Sequence, residues 1–265
     1  MDIIKKIRNE GNSFKGLSRE IELIVSDNIL EGYPGTWTMD TVAERFVTGL
    51  RNALDGKRII SPGSSMRTRL WAYKLVDDRD AAPCDLAVLI RLSYHDSHKT
   101  EGALLVQGAL KDPDKNTFSG LRKDALRKAH SLSPHACLML CDYDTISGMA
   151  YPAVAEYVIG NHPQGWSNWI SYTHAVMVQS GLALELGART TGLYKASVPL
   201  SHQFCHRYLM GLDLDYHQLA RDVARGARRD RGIARYLLSV SVAFGAAEGS
   251  AESDFNINRE LFSPF

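Results

Sequence analysis

Three polar side chains stand where chemistry would need them. Asp85 opens the apolar run CDLAVLIRLSY, Gln107 interrupts the run EGALLVQGALK, and Glu44 lies within MDTVAERFVTGLRNAL. If the two runs are neighbouring strands, Asp85 and Gln107 meet at one edge of an otherwise apolar sheet. Oxygens of this kind suit a hard divalent cation, Mg2+ or Mn2+, which takes carboxylates, carbonyl-type oxygens and water. Such a cation orients water and stabilises charge on a phosphoryl group during phosphodiester hydrolysis. Each residue also has a plainer reading: a solvated turn acid for Asp85, a solvent-facing helix charge for Glu44, a structural hydrogen bond for the Gln107 amide. The order and spacing of the three favour the functional one.

The elements that must position them are legible. Thr38 is a candidate N-cap for a helix over MDTVAERFVTGLRNAL, with Val42, Phe46, Val47, Leu50 and Leu54 at helical spacing and Gly56 as its stop. RLWAYKLV reads as a strand, and residues 84–94 and 102–111 as two more, joined by the polar link HDSHKTE. After the Pro/Gly/Asn/Asp-rich KDPDKNTFSG come a helix over LRKDALRKAHSL and a strand over ACLMLCDYD. The middle of the chain is therefore a mixed sheet with helical cover, α/β in class. Beyond Gly148 the pattern weakens. AVMVQSGLALELG and HQLARDVARGARRDRG read as helices, and ARYLLSVSVAFG as a strand or buried helix, so the expectation is a core over 1–150 and a mainly helical C-terminal extension over 151–265, with a soft boundary.

Composition narrows the class. With 45% hydrophobic and 23% charged residues and a net charge of +1, the chain has the balance of an ordinary soluble globular protein and no global basic field. No apolar run approaches a membrane span, and the first residues, MDIIKKIRNEGNSFKG, lack the apolar core of a signal peptide. Cys84, Cys137, Cys141 and Cys205 read as reduced core thiols of a cytoplasmic protein without membrane association. The P-loop, the dinucleotide-binding glycine turn and the serine nucleophile elbow are not found.

Nucleic acid enters through local charge. Arg221, Arg225 and Arg228 recur at i, i+4, i+7 within an arginine-rich stretch, and LRKDALRK, with Lys123, forms a smaller basic surface. Guanidinium groups bind phosphate bidentately, although pairing with Asp222 and Asp230 would make the same stretch a solvated face. His95 and His98 read as a hairpin link. Trp166, Trp169 and Tyr172 suit core packing or base stacking.

At this point the chain resembles the PD-(D/E)XK restriction-endonuclease-like superfamily, over residues 38–145. The order of Glu44 in an early helix, Asp85 leading DLAVLIRL, and then GALLVQGALK is similar to the variant group with Gln in the third-strand motif. The resemblance implies metal positions at Glu44, Asp85 and Gln107, with Mg2+ or Mn2+ bound. It also implies a lysine that positions the attacking water, but that position is Ala109. Lys111 is one pleat away, roughly 6.6 Å along the strand, and is the substitute the sequence offers, with Lys123 a second. The implied catalytic set is Asp85, Gln107 and Lys111. The implied setting is defence or DNA processing, on DNA in preference to RNA, alone, as a homodimer or with a partner subunit. Two outcomes stay open: a metal-dependent phosphodiester hydrolase, or a degenerate core that binds nucleic acid or a protein without chemistry. A third reading places a different α/β enzyme around His162, Trp166 and His174.

Overall fold

The computed structural model describes residues 13–61, 64–76, 83–95, 98–115, 117–147, 149, 173–187, 190–228, 234–245 and 255–265. Its first helix, α1 (Phe14–Gly32), starts at Ser13, whose hydroxyl accepts from the Gly16 N–H, and buries Leu17, Ile21, Val25 and Ile29 on one stripe. Helix α2 (Met39–Leu54) is capped by Thr38, which accepts from Thr41 N–H at 3.2 Å. It buries the apolar series expected of it, together with Ala43, and the chain leaves it through Gly56 at φ +73°, a conformation glycine adopts without strain.

Strands β1 (Arg58–Ser61), β2 (Ser64–Leu75), β3 (Cys84–His95), β4 (His98–Lys111), β5 (Phe118–Ser119) and β6 (Cys137–Ile146) follow, with helix α3 (Lys123–Leu132) before β6. The second half supplies β7 (Thr173–Gln179), α4 (Ser180–Leu186), α5 (Thr190–Lys195), β8 (Val198–Pro199), α6 (Leu200–His202), α7 (Gln218–Ala224), β9 (Ala234–Phe244) and β10 (Phe262–Pro264). The strands form one 10-stranded mixed sheet in the order β1-β2-β9-β3-β4-β6-β7-β8, with β10 on β2 and β5 on β4.

The sheet has helices on both faces. α1 and α2 pack against Leu86, Val88, Ile90, Leu104, Val106, Tyr236 and Leu238. On the opposite face Ala129 and Leu132 of α3 and Ala220, Val223 and Ala224 of α7 cover Ala87, Leu89, Ala103, Leu105 and Leu237. The α/β class and the helix-flanked mixed sheet are as expected.

The second half is more than a helical extension. Among the described residues, those after 172 give four strands, and β9 is inserted between β2 and β3, antiparallel to one and parallel to the other. AVMVQS is strand β7 up to Gln179, and only SGLALEL is helical. The physical reason is burial on both sides: a central strand loses its alternation and becomes a continuous apolar run, which periodicity cannot tell from a buried helix. The soft boundary near residue 150 falls beside residues outside the described set, and β6 and β7 pair across it in the same sheet.

Candidate functional site

Pairing directions bring the nominated residues to one end of the sheet. β3 runs antiparallel to β4 and parallel to β9, and β4 runs parallel to β6. The starts of β3 and β9 therefore adjoin the end of β4, which pairs with the start of β6. The β3–β4 ladder is registered to Leu86↔Val106, and its continuation sets Asp85 opposite Gln107. Between Cys84↔Ala234 and Leu86↔Tyr236, the strand neighbour of Asp85 on β9 is Arg235.

Asp85 is buried, and its Oδ2 accepts the Gly108 N–H at 2.7 Å. Burial raises its pKa, against the Gly108 hydrogen bond and the charges of Arg122 and Arg235 and with the like charge of Asp40. The Met39 side chain, from the first turn of α2, packs on Gly108: a Cβ there would stand 2.1 Å from Met39 Sδ, so the methionine would have to shift to admit a side chain. An acid whose native pKa lies above its unfolded value costs the native state stability once ionised. The cost is absent below the unfolded value, near 3.8, grows through the raised native value and is complete above it. Asp85→Asn, which keeps an acceptor for Gly108, is therefore expected to be more stable than wild type at pH 7, with the difference shrinking as pH falls towards 3.8. Urea denaturation across that range reads it.

Gln107 is fully buried. Its amide nitrogen donates to the Arg122 carbonyl at 3.3 Å, while Oε1 is buried with no hydrogen-bond partner. An unmatched buried oxygen of this kind costs about 1–3 kcal/mol.

Glu44 does not join this pair. Its Oε2 accepts from Lys74 Nζ at 2.7 Å and from the Tyr236 hydroxyl at 2.9 Å, on the sheet face that α2 covers. Lys74 and then Tyr236 hold its carboxyl below the usual range. Gln107 and Ala109 point to the opposite face by strand alternation. Ala109 is buried there among Phe118, Leu126, Leu138 and Leu140. Lys111 is committed elsewhere: its Nζ lies 3.0 Å from Asp142 Oδ2 and 3.1 Å from Asp144 Oδ2, and 5.1 Å from the Tyr143 ring centroid.

The edge includes residues that the sequence reading passed over. Asp40 Oδ1 lies 3.0 Å from the Tyr236 hydroxyl and 3.9 Å from Arg235 NH1. Asp40 precedes Glu44 by one helical turn, and Arg235 opens its strand as Asp85 opens β3, so spacing could have found both. Asp142 is buried and accepts from Tyr194 at 2.5 Å as well as from Lys111. Its long-range partners gave no sequence signal.

The arginine stripe is broken by the fold. Arg225 ends α7 and turns inward to Glu101, which also binds Arg91 at 2.9 Å, and to Asp222 at 3.6 Å. Its assignment to phosphate is corrected accordingly: a half-buried guanidinium between two acids has no hand to offer. Arg221 donates to Gln218 at 2.7 Å, and Arg228 is exposed beyond the helix end. Lys123 is exposed at the first position of α3, beside exposed Arg122, Arg127 and Lys128. Arg127 is paired with Asp124 at 2.9 Å. The charges of Arg122 and Lys128 reach Cys84, the residue before Asp85, so this helix carries its cations to the same edge.

The remaining candidates resolve more simply. The four cysteines are free and buried, with Cys137 and Cys141 both in the core beneath α1 and α2. His98 is exposed, and the side chain of His95 lies outside the described residues, as do His162, Trp166, Trp169 and Tyr172. His174 Nδ1 lies 3.0 Å from the Asp142 carbonyl.

Among the described residues no three His, Cys, Asp or Glu side chains are grouped to hold a metal ion. The residues at the edge do not fit a catalytic Mg2+ or Mn2+. Glu44 is neutralised by Lys74, Asp85 and Asp40 stand beside Arg235, and Ala109, where the resemblance would imply a lysine, is a buried alanine. No helix among the described residues is long and apolar enough to cross a membrane. Comparison of the chain with protein-family models, with curated proteins and with solved structures finds no match in any of the three.

Proposed function

We propose that this protein binds nucleic acid, duplex DNA in preference to RNA, through a restriction-endonuclease-like core that has lost the groups needed for hydrolysis. The observation that carries the reading is the position of α3. Its exposed Arg122, Lys123 and Lys128 stand at the sheet edge where Asp85 and Gln107 meet, so a phosphate backbone laid along that edge finds cations where the resemblance puts substrate. Arg221 in the neighbouring helix α7, and Arg228 beyond its end, extend the surface. Sequence-independent phosphate contact of this kind dominates affinity for DNA. The setting implied by the resemblance, defence or DNA processing, suits such a module acting with a partner subunit or as a homodimer.

A second reading, a metal-dependent phosphodiester hydrolase, has one specific observation in its favour. Gln107 Oε1 is a buried oxygen without a partner, directly beside a buried carboxylate. The two readings separate on labelled duplex DNA, single-stranded DNA and RNA, each with Mg2+, with Mn2+ and with EDTA. The binding reading expects duplex DNA to be retained in EDTA and left intact under every condition. Cleavage that requires metal and disappears in Asp85→Ala would establish the hydrolase instead.

A further inference from the structure

The Asp85 edge has its own cation. Arg235 occupies the position on β9 level with Asp85 on β3, and adjacent strands lie about 4.8 Å apart. Its NH1 is 3.9 Å from Asp40 Oδ1, and its charge acts on Asp85. The charge of Asp40 in turn adds to the cost of ionising Asp85, so the two acids share one neighbourhood. One guanidinium thus serves two carboxylates from two different elements, the first turn of α2 and the start of β3. That bridging role is the one a divalent metal plays between acids of a hydrolytic edge.

Further details point the same way. Arg235 Nε is buried with no hydrogen-bond partner, while its NH1 faces Asp40. Tyr236, the next residue on β9, bonds both Asp40 and Glu44, and Lys74 neutralises Glu44. Arg122 adds a second guanidinium on the far side of Asp85. The acids of this end of the sheet are therefore compensated from β2, β9 and α3 by side chains of the chain itself.

We propose that Arg235 is a resident cation that takes the place of a divalent metal between Asp40 and Asp85, which makes the core metal-independent. The proposal rests on reading this edge as nuclease-like. It predicts that removing the guanidinium creates a metal site where the wild type has none, because a divalent ion no longer meets a fixed positive charge a few ångströms away.

The test measures Mn2+ binding by the paramagnetic resonance of free Mn2+, on the full chain without nucleic acid. Wild type and Arg235→Lys, which keeps the charge, are expected to bind no Mn2+ below millimolar concentration. Arg235→Gln is expected to bind at least about tenfold more tightly, and Asp85→Asn added to it should remove the gain. Arg235→Met, which keeps the apolar stem, takes its place if the glutamine variant does not fold. Micromolar binding by wild type overturns the proposal, as does a folded variant that gains nothing, or a gain that survives Asp85→Asn. The nucleic-acid reading fails separately, by absence of DNA binding, which this measurement does not involve.

Discussion

Glu101→Ala is expected to destabilise the protein by about 3–5 kcal/mol, the scale for stripping one partner from a buried ion network. Glu101 is 7% exposed and sits on β4 between two guanidiniums, Arg91 at 12% and Arg225 at 14%. Arg91 also lies 4.3 Å from the Phe255 ring centroid. Removing the carboxylate leaves two cations facing one another in an environment with little water, while Asp222 stays 3.6 Å from Arg225. The midpoint of thermal unfolding should fall by roughly 10 °C for a chain of this size. Arg225→Ala should cost less, because Glu101 then keeps Arg91. Denaturant titration of both variants reads the difference, and a loss below about 1 kcal/mol for Glu101→Ala would mean that the network behaves as a solvated surface pair.

The second large effect concerns binding. Lys123→Glu with Lys128→Glu removes two cations at the Asp85 edge and adds two negative charges where a phosphate backbone would lie. Duplex DNA affinity should fall by at least about tenfold near 0.1 M salt, and the dependence of log affinity on log salt should flatten by about two units. Both side chains are exposed, so stability should change by no more than about 0.5 kcal/mol. Arg225→Gln is the contrasting case: its loss should appear as instability, not as a flatter salt dependence, since the guanidinium is already held by Glu101. Equal DNA binding by the double variant and wild type would move the interface away from α3.

These contrasts show where the sequence was informative. Helix α2 was legible to its caps, because Thr38, Gly56 and the stripe from Val42 to Leu54 are local signals. β3 and β4 were legible as strands, and their polar interruptions marked the edge correctly: Asp85 and Gln107 meet there. The path of the second half was not legible. β9 reads as a uniform apolar run since it is buried on both faces, and nothing local says that it enters between β2 and β3.

Partner choice was hidden for the same reason. Arg225 and Glu101 are 124 residues apart, and Lys111 meets Asp142 and Asp144 only because β4 and β6 are parallel neighbours. A helical wheel put Arg225 on a stripe with Arg221 and Arg228, but the end of α7 turns it towards β4. Alternation put Lys111 on the face of Ala109, as it should, yet the acids of β6 claim its ammonium. Glu44 was judged by its element alone. The residue one turn earlier, Asp40, lies nearer in charge to Asp85, while Glu44 looks across to Lys74 and Tyr236.

Metal-independent DNA binding is tested by the affinity of the wild-type chain for a short DNA duplex in EDTA, followed across salt from about 50 to 300 mM. Binding is expected to persist without metal and to weaken steeply and linearly on a log–log plot, with a slope that the Lys123/Lys128 reversal flattens. No binding at the lowest salt, or binding that appears only when Mg2+ or Mn2+ is restored, would contradict it.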